Sequence, residues 1–108
     1  MKRGDIALAA VKGDYGKPRP HLIVQSDLLA TYGYGSVLVC PLTTTLTGGA
    51  LCRVPVEATP ETGLQQRSEI QVEKLQAPSR ERLRNVIGRV DDATMRAVER
   101  ALLFVLGF

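Results

Sequence analysis

Short apolar runs, separated by turns rich in glycine and proline, make up most of the chain. The runs cover residues 6–11, 21–25, 37–42, 51–56 and 85–90, and each has the length and composition of a short strand. Residues 66–75 alternate instead: one face carries Ser68, Ile70 and Val72, and the other carries Glu69, Gln71 and Glu73. This alternation predicts a strand with one face in the core and the other in water.

The last segment has the period of a helix. Met95, Val98, Leu102 and Val105 recur at helical spacing, after a start at Asp91 or Asp92. Residues 101–106 are nearly all apolar, which predicts that a sheet, a second copy of the chain or a partner covers this end. The strands and the helix together predict one mainly β domain over residues 1–108, a small antiparallel barrel or half-barrel with a C-terminal helix.

Two shorter segments, residues 26–30 and 79–83, have residues suited to cap a helical turn. Ser26 and Asp27 either close the second strand or cap a short helical turn over residues 28–30. Ser79 is suited to cap a turn over residues 80–83.

Composition and charge narrow the function classes only slightly. The chain has 108 residues, 23% of them charged, and a net charge of +3, which permits an anionic partner without requiring one. No apolar run reaches the length of a membrane span, and the N-terminus lacks the pattern of a signal peptide, so the sequence predicts a cytoplasmic protein. Cys40 and Cys52 have no histidine or cysteine at ligand spacing, and we expect buried free thiols and no metal site.

The sequence GKPRPHLIVQSD, residues 16–27, carries the first candidate for chemistry. Pro18 and Pro20 restrict the backbone on both sides of Arg19, which precedes the apolar run 21–25. An arginine held stiffly at the mouth of a sheet can grip phosphate, because its planar guanidinium donates to two oxygens and stays charged. The alternative is a solvated arginine at a sheet edge.

Hydroxyl groups at the end of the run 37–42 form the second candidate. Thr43 and Thr44 can donate to a phosphate or a reacting oxygen, although threonine runs also favour strands for their own sake. The single histidine, His21, lies inside a predicted strand and is more typical of a packed or surface group than of a general base. The chain contains no phosphate-binding glycine loop, zinc-ligand spacing or nucleophile elbow.

Five motifs in fixed order carry a resemblance to a known family. The start MKRGDI, the GKPRPHLIVQSD segment, CPLTT at residues 40–44, the TGL…S…KL segment at residues 62–75 and the IGRVDDATMRAVERAL tail resemble the MazF/PemK toxins of type II toxin-antitoxin pairs. The resemblance covers nearly the whole chain. It implies an SH3-like barrel of the CcdB, MazF and Kid type, a homodimer, and metal-independent, sequence-specific cleavage of single-stranded mRNA without a cofactor. It further implies a cognate antitoxin as partner, and operator DNA only through the antitoxin complex.

The resemblance also implies roles for individual residues. The family's catalytic arginine, in its RP motif, falls on Arg19, and its threonine in the PLT pattern falls on Thr43. We expect further RNA contacts from the residues near these two in the chain and from the strand at residues 66–75: Lys12, Asp14, Tyr15, Lys17, Thr44, Ser68 and Gln71.

The resemblance leaves the general base and one competing function open. Asp14 is the nearest carboxylate to Arg19 in the chain, and where some relatives have an Arg-x-Asp pair this chain has Gln66 and Ser68. The same fold occurs in CcdB-like toxins that inhibit gyrase, and a barrel that binds nucleic acid without cleaving it is a further alternative.

Overall fold

Six antiparallel strands and one C-terminal α-helix make up the fold in the computed structural model, which describes residues 1–10 and 17–108. The strands are β1 (Asp5–Ala9), β2 (Arg19–Ile23), β3 (Val39–Thr43), β4 (Arg53–Val56), β5 (Ser68–Gln71) and β6 (Leu83–Arg89). Their order in the sheet is β4-β5-β3-β2-β1-β6. The fold class predicted from the sequence, mainly β with a C-terminal helix, is confirmed.

Helix α1, Asp92–Leu106, follows the predicted pattern closely. Asp91 is the N-cap, and its carboxylate accepts a hydrogen bond from the Thr94 amide at 2.8 Å. Gly107 ends the helix in the left-handed conformation that glycine adopts without strain. The helix buries Met95 and Val98 against one face of the sheet, where the main apolar core lies.

The second face of the sheet holds a smaller apolar cluster, which includes Ala7, Ile23 and Val39. A 3₁₀ helix, Asp27–Tyr32, follows β2, and the Ser26 hydroxyl accepts from the Leu28 amide at its start. Of the two alternatives for Ser26, the structure therefore shows the capped helical turn.

Three expectations about local structure were wrong in detail. Cys52 is only half-buried, because it lies in the turn that precedes β4 rather than in a strand. β5 ends at Gln71 and continues as a 3₁₀ turn, Val72–Lys74, so the alternating segment is not one long strand. Ser79 precedes a 3₁₀ turn, Arg80–Arg82, without a capping bond, since its hydroxyl lies 3.3 Å from the Glu81 carboxylate instead.

Candidate functional site

Arg19 is the first residue of β2, so it belongs to the sheet and not to a turn before it. It pairs with Ala9 of β1, and its side chain is exposed. Pro20, next in the strand, lacks an amide donor and is tolerated because the β2–β3 ladder begins only at His21. The stiff placement expected from the two prolines is thus reinforced by strand pairing.

Thr43 is the last residue of β3, and the β2–β3 register relates its position to that of Arg19. The β2–β3 ladder pairs His21 with Pro41, and continuing it by two residues brings Arg19 opposite Thr43. Residues opposite each other in antiparallel strands project from the same face, about 5 Å apart at Cβ. The extended register therefore puts the two catalytic candidates on the same face, at the same end of β2 and β3.

The Thr43 hydroxyl already has one local partner. Its oxygen accepts a hydrogen bond from the Thr45 amide at 3.1 Å. A hydroxyl that accepts through a lone pair still has its proton to donate. The Thr45 contact thus orients the Thr43 oxygen while leaving the O–H able to donate to a bound anion.

A cleft of about 350 Å³ opens at the same end of the sheet, on the opposite face from Arg19 and Thr43. Strand alternation explains the side, since Pro20 and Thr44 follow Arg19 and Thr43 and point the other way. The residues that line it come from β1, the start of β2, the end of β3, the loop before β5, β5 itself and β6: Leu8, Pro18, Pro20, Thr44, Gly63, Leu64, Gln65, Gln66, Ser68 and Ile87.

Glu69 is a buried carboxylate beside Thr43, and sequence alternation had placed it in water. The β3–β5 ladder pairs it with Thr43, and its residue is only 4% exposed. Both carboxylate oxygens accept from the Thr47 amide at 3.0 Å, and the Gly48 amide donates at 3.3 Å. The prediction that Glu69 lies on the face opposite Ser68 and Ile70 was right. The prediction that this face is in water was wrong for Glu69, because the loop at residues 44–52 covers its side chain.

These hydrogen bonds keep Glu69 ionised. The Thr47 amide, followed by the Thr47 hydroxyl and the Gly48 amide, lowers the pKa of the Glu69 carboxyl, although burial acts in the opposite direction. Arg53 adds a weaker attraction, with its Nη1 3.7 Å from Oε1. A carboxylate whose acceptor sites are occupied in this way is poorly suited to take a proton from a substrate.

Arg53 makes its closer ion pair with Glu73. The shortest contact, Nη2 to Oε2, is 2.6 Å, and Nε donates to both carboxylate oxygens. The Arg53 hydrogen bond lowers the pKa of the Glu73 carboxyl, and the same contact raises the pKa of Arg53. Both groups are therefore charged at neutral pH.

Cys40 is not a nucleophile, and His21 has a structural role. Burial, with the charge of Glu73, raises the pKa of the Cys40 thiol to about 12, so this thiol is protonated and unreactive at neutral pH. His21 is fully buried, and its Nδ1 lies 2.8 Å from the Arg19 carbonyl oxygen. Because a carbonyl only accepts, Nδ1 carries a proton in this contact and secures the Arg19 backbone.

Comparison with known proteins decides the family. Residues 2–106 match the family described as "PemK-like, MazF-like toxin of type II toxin-antitoxin system". The chain belongs to this family. It is 43% identical, over 99% of its own length and 97% of the relative's, to a Mycolicibacterium smegmatis protein named "Probable endoribonuclease MazF".

Solved structures of MazF toxins share the fold. The Mycobacterium tuberculosis toxin MazF-mt6 superposes with a TM-score of 0.83 at 27% identity, covering 96% of this chain and 97% of that one. A mycobacterial endoribonuclease in complex with its cognate antitoxin gives 0.82 at 22% identity, covering 100% and 96%. A Deinococcus radiodurans MazE-MazF complex gives 0.80 at 17% identity, covering 100% and 96%.

The remaining site residues predicted for this MazF-like toxin fall in different places. Lys12, Asp14 and Tyr15 lie outside the described residues. Lys17 is exposed beside the cleft residue Pro18, while Thr44 and Ser68 line the cleft.

Two of these predicted contacts are less accessible than an RNA contact would suggest. The Ser68 hydroxyl is buried and donates to the Gln66 carbonyl at 3.0 Å. Gln71 is half-buried at the end of β5, opposite Arg53, and lies on the other face of the sheet from Ser68. Their contacts with RNA stay predictions.

Sequence reasoning missed a basic group near Arg19 in this toxin. Arg82 and Arg84 line a second depression, about 600 Å³ in volume, together with Ala10 and Pro18. Arg82 Nη1 lies 3.3 Å from the Ala10 carbonyl oxygen, just beyond the Ala9 that pairs with Arg19. The alternating arginines of the SRERLR segment were the available signal, but only the fold brings them to β1.

Within the described part of the chain, no three His, Cys, Asp or Glu side chains lie together as potential metal ligands. Nor does the described part include a helix long and apolar enough to cross a membrane.

Proposed function

We propose that this toxin is an endoribonuclease that cleaves single-stranded mRNA at specific sequences without a metal ion. The observation that supports the proposal is the β2–β3 register, which, continued two residues beyond the His21–Pro41 pair, brings Arg19 opposite Thr43. The 43% identical relative named as an endoribonuclease supports it. A guanidinium and a hydroxyl at neighbouring positions can hold one phosphate group between them.

The reaction proceeds by attack of the RNA 2′-hydroxyl on its own adjacent phosphorus. The new P–O bond forms as the bond to the 5′-oxygen of the next nucleotide breaks, and that oxygen leaves with a proton. The products are a 2′,3′-cyclic phosphate, or the 3′-phosphate formed on its hydrolysis, and a 5′-hydroxyl. DNA is not cut, because it lacks the attacking group.

Arg19 and Thr43 stabilise the charge that develops on the phosphate oxygens. The guanidinium donates to two oxygens, and the Thr43 hydroxyl donates to one of them. Both donors are placed before substrate arrives, Arg19 by strand pairing and the His21 contact, and Thr43 by the Thr45 amide. Preorganised donors need little rearrangement during the reaction, which is the source of their effect on rate.

Neither of the two carboxylates considered is assigned as the base that removes the 2′-proton. Glu69 is the acidic side chain adjacent to Thr43 in register, and its oxygens are committed to Thr47 and Gly48. Asp14, the other carboxylate considered, lies outside the described residues. The proposal therefore assigns charge stabilisation to Arg19 and Thr43 and no base to Glu69.

A cognate antitoxin and a second copy of the chain complete the proposed assembly. The exposed apolar side chains at the end of α1, Leu103, Phe104 and Leu106, are the surface we expect a partner subunit to cover. We expect sedimentation at micromolar concentration to give a dimer; an 11.7 kDa species alone would contradict it.

The test is cleavage of a long RNA in EDTA. We expect discrete cuts with 5′-hydroxyl ends, and a loss of about 100-fold or more in rate for both Arg19→Ala and Arg19→Lys. Lysine fails because an ammonium is a point charge that cannot reproduce the two-oxygen contact. Intact RNA with the wild-type toxin, or a lysine variant of wild-type activity, would contradict the proposal. Gyrase inhibition without RNA cleavage would favour the CcdB-like alternative.

A further inference from the structure

Glu69 holds the middle of the loop that connects β3 to β4, residues 44–52, while the Val72 amide holds its end by donating to the Cys52 carbonyl at 3.0 Å. One carboxylate receives the Thr47 amide on both oxygens and the Thr47 hydroxyl on Oε1, each at 3.0 Å. The Gly48 amide donates to Oε2 at 3.3 Å. Four contacts therefore fix two consecutive loop residues to the middle of β5.

An ionised carboxylate is the group that fits this position. It offers two acceptor oxygens and no donor, which matches two backbone amides and one hydroxyl that all donate. Glutamine has the same shape but would turn an NH₂ group toward one of those donors. Burial makes the mismatch costly, because a buried amide without an acceptor is penalised more heavily than an exposed one.

The position of this attachment connects it to Thr43. Glu69 pairs with Thr43 across the β3–β5 ladder, and the loop that it holds starts immediately after Thr43. Thr45, inside the loop, donates its amide to the Thr43 hydroxyl oxygen. The Glu69 contacts at Thr47 and Gly48 thus fix the far side of a short segment whose near side orients the Thr43 hydroxyl.

The loop also reaches both faces of this end of the sheet. Thr44 lines the cleft, whereas Thr47 lies over Glu69 on the face of Arg19 and Thr43. RNA bound by Arg19 and Thr43 would pass the loop near Thr47 on one face of the sheet and near Thr44 on the other. The shape of residues 44–52 is therefore placed to select among nucleotides next to the cleaved phosphate.

We infer that Glu69 is a positioning residue that holds the 44–52 loop in one shape, and that this shape determines both the orientation of the Thr43 hydroxyl and the sequences that the toxin cuts. The inference rests on the proposed ribonuclease function. Glu69 does not touch the reacting atoms; it acts through Thr47, Gly48 and the hydrogen bond from Thr45 to Thr43.

The experiment compares Glu69→Gln with Glu73→Gln as its matched control. Both changes remove one carboxylate partner of Arg53, but only Glu69 binds Thr47 and Gly48, whereas Glu73 meets the loop only at its last residue, Cys52. For the Glu69 variant we expect kcat on a short RNA to fall about tenfold or more, and the set of cut sites on a long RNA to broaden. For the Glu73 variant we expect unchanged cut sites and a kcat close to wild type.

A second pair of variants guards against a Glu69 variant that fails to fold. Thr47 is exposed, so Thr47→Val should fold while it loses the hydroxyl contacts with Glu69 and with the Ala50 amide. Thr47→Ser keeps the hydroxyl and should retain the wild-type cut sites. Broadened cutting with valine and its restoration with serine is the expected result.

Amide hydrogen exchange supplies a readout that does not depend on cleavage. We expect the Thr47 and Gly48 amides to exchange faster in Glu69→Gln than in wild type, while the β2 and β3 amides keep their protection. Wild-type exchange, or wild-type cut sites and kcat, in folded Glu69→Gln would overturn the inference. If the wild-type toxin itself cut no RNA, the proposed function would be wrong, and so would the role of Glu69 in selectivity. Amide exchange would still show whether Glu69 holds the 44–52 loop.

Discussion

Gly63 is the position where one methyl group should distort the cleft. Its φ is +69°, and a Cβ built there would lie 2.0 Å from the Ile87 carbonyl oxygen of β6. Ordinary contact begins at 3.4 Å, so the loop must withdraw from β6 in Gly63→Ala. That loop is tied down, because the Gly63 amide donates to Thr59 and the Arg89 amide donates to Glu61.

The expected loss of stability has two parts. An alanine at positive φ costs about 1–2 kcal/mol, and forcing extra volume into packed structure costs about 1–3 kcal/mol more. Gly33→Ala measures the cost of positive φ alone, because φ at Gly33 is +71° and nothing lies within 4 Å of a Cβ built there. With about 4–8 °C of melting temperature per kcal/mol in a domain of this size, Gly33→Ala should melt roughly 4–16 °C below wild type, and Gly63→Ala roughly 8–40 °C below.

The assay is thermal unfolding of the wild type and both variants, followed by RNA cleavage at a temperature where all three are folded. Gly63→Ala should also cleave more slowly, because Gly63 lines the cleft together with Thr44 and Ser68, which are predicted RNA contacts, whereas Gly33 is not among the lining residues. Equal melting temperatures for the two variants would show that the loop is not packed on β6 as described. If the two variants melted at the same temperature but only Gly63→Ala cleaved more slowly, the packing of the loop on β6 would be contradicted and the role of the cleft in cleavage would be supported.

Three further outcomes test the site. Thr43→Val keeps the shape and removes the hydroxyl, so cleavage should fall with little change in melting temperature; a collapse of stability with normal activity per folded molecule would mean that Thr43 only supports the strand. Because the Thr47 amide holds the pKa of Glu69 below its ordinary value, the unfolded state binds the proton first. The stability that Glu69 contributes should thus be complete above pH 4.5 and be lost as pH falls through the folded pKa, and acid melting of Glu69→Gln should lack this component. An acidic antitoxin peptide should compete with RNA, more weakly with added salt, and Lys17→Glu should weaken both ligands; a saturating peptide that leaves cleavage unchanged would contradict a shared surface.

Local sequence patterns predicted the elements whose determinants are local. The helix was predictable because its cap at Asp91, its apolar spacing and its stop at Gly107 all lie within one segment. The faces of β5 were predictable for the same reason, since alternation has a fixed period of two. Arg19 and Thr43 were identified from their neighbours in the chain and from the family resemblance, and the β2–β3 register, continued beyond His21, brings them opposite each other; their catalytic roles stay predictions.

Long-range contacts account for what the sequence did not predict. Glu69 alternates like a water-facing residue, and only the path of the 44–52 loop buries it. Arg82 and Arg84 come near β1 because β6 pairs with β1. Ala9 lies opposite Leu83, which is 74 positions away in the chain, and no local sequence window spans that separation. Arg19 was expected just before the strand, yet pairing with Ala9 makes it the first strand residue.

The proposed catalytic residues, Arg19 and Thr43, and the loop beside them are held by different forces, and this difference governs how each can change. Arg19 lies opposite Thr43 only when the observed β2–β3 register is continued, and a slip of one residue would turn either Leu22 of β2 or Cys40 of β3 out of the core. Substitutions that disturb the pair in this way would therefore also unfold the protein. The 44–52 loop is joined instead by polar contacts to Glu69, and most of its residues are exposed. Its sequence can vary without cost to the core, so selectivity for RNA can change in this toxin while the geometry of phosphate binding stays the same.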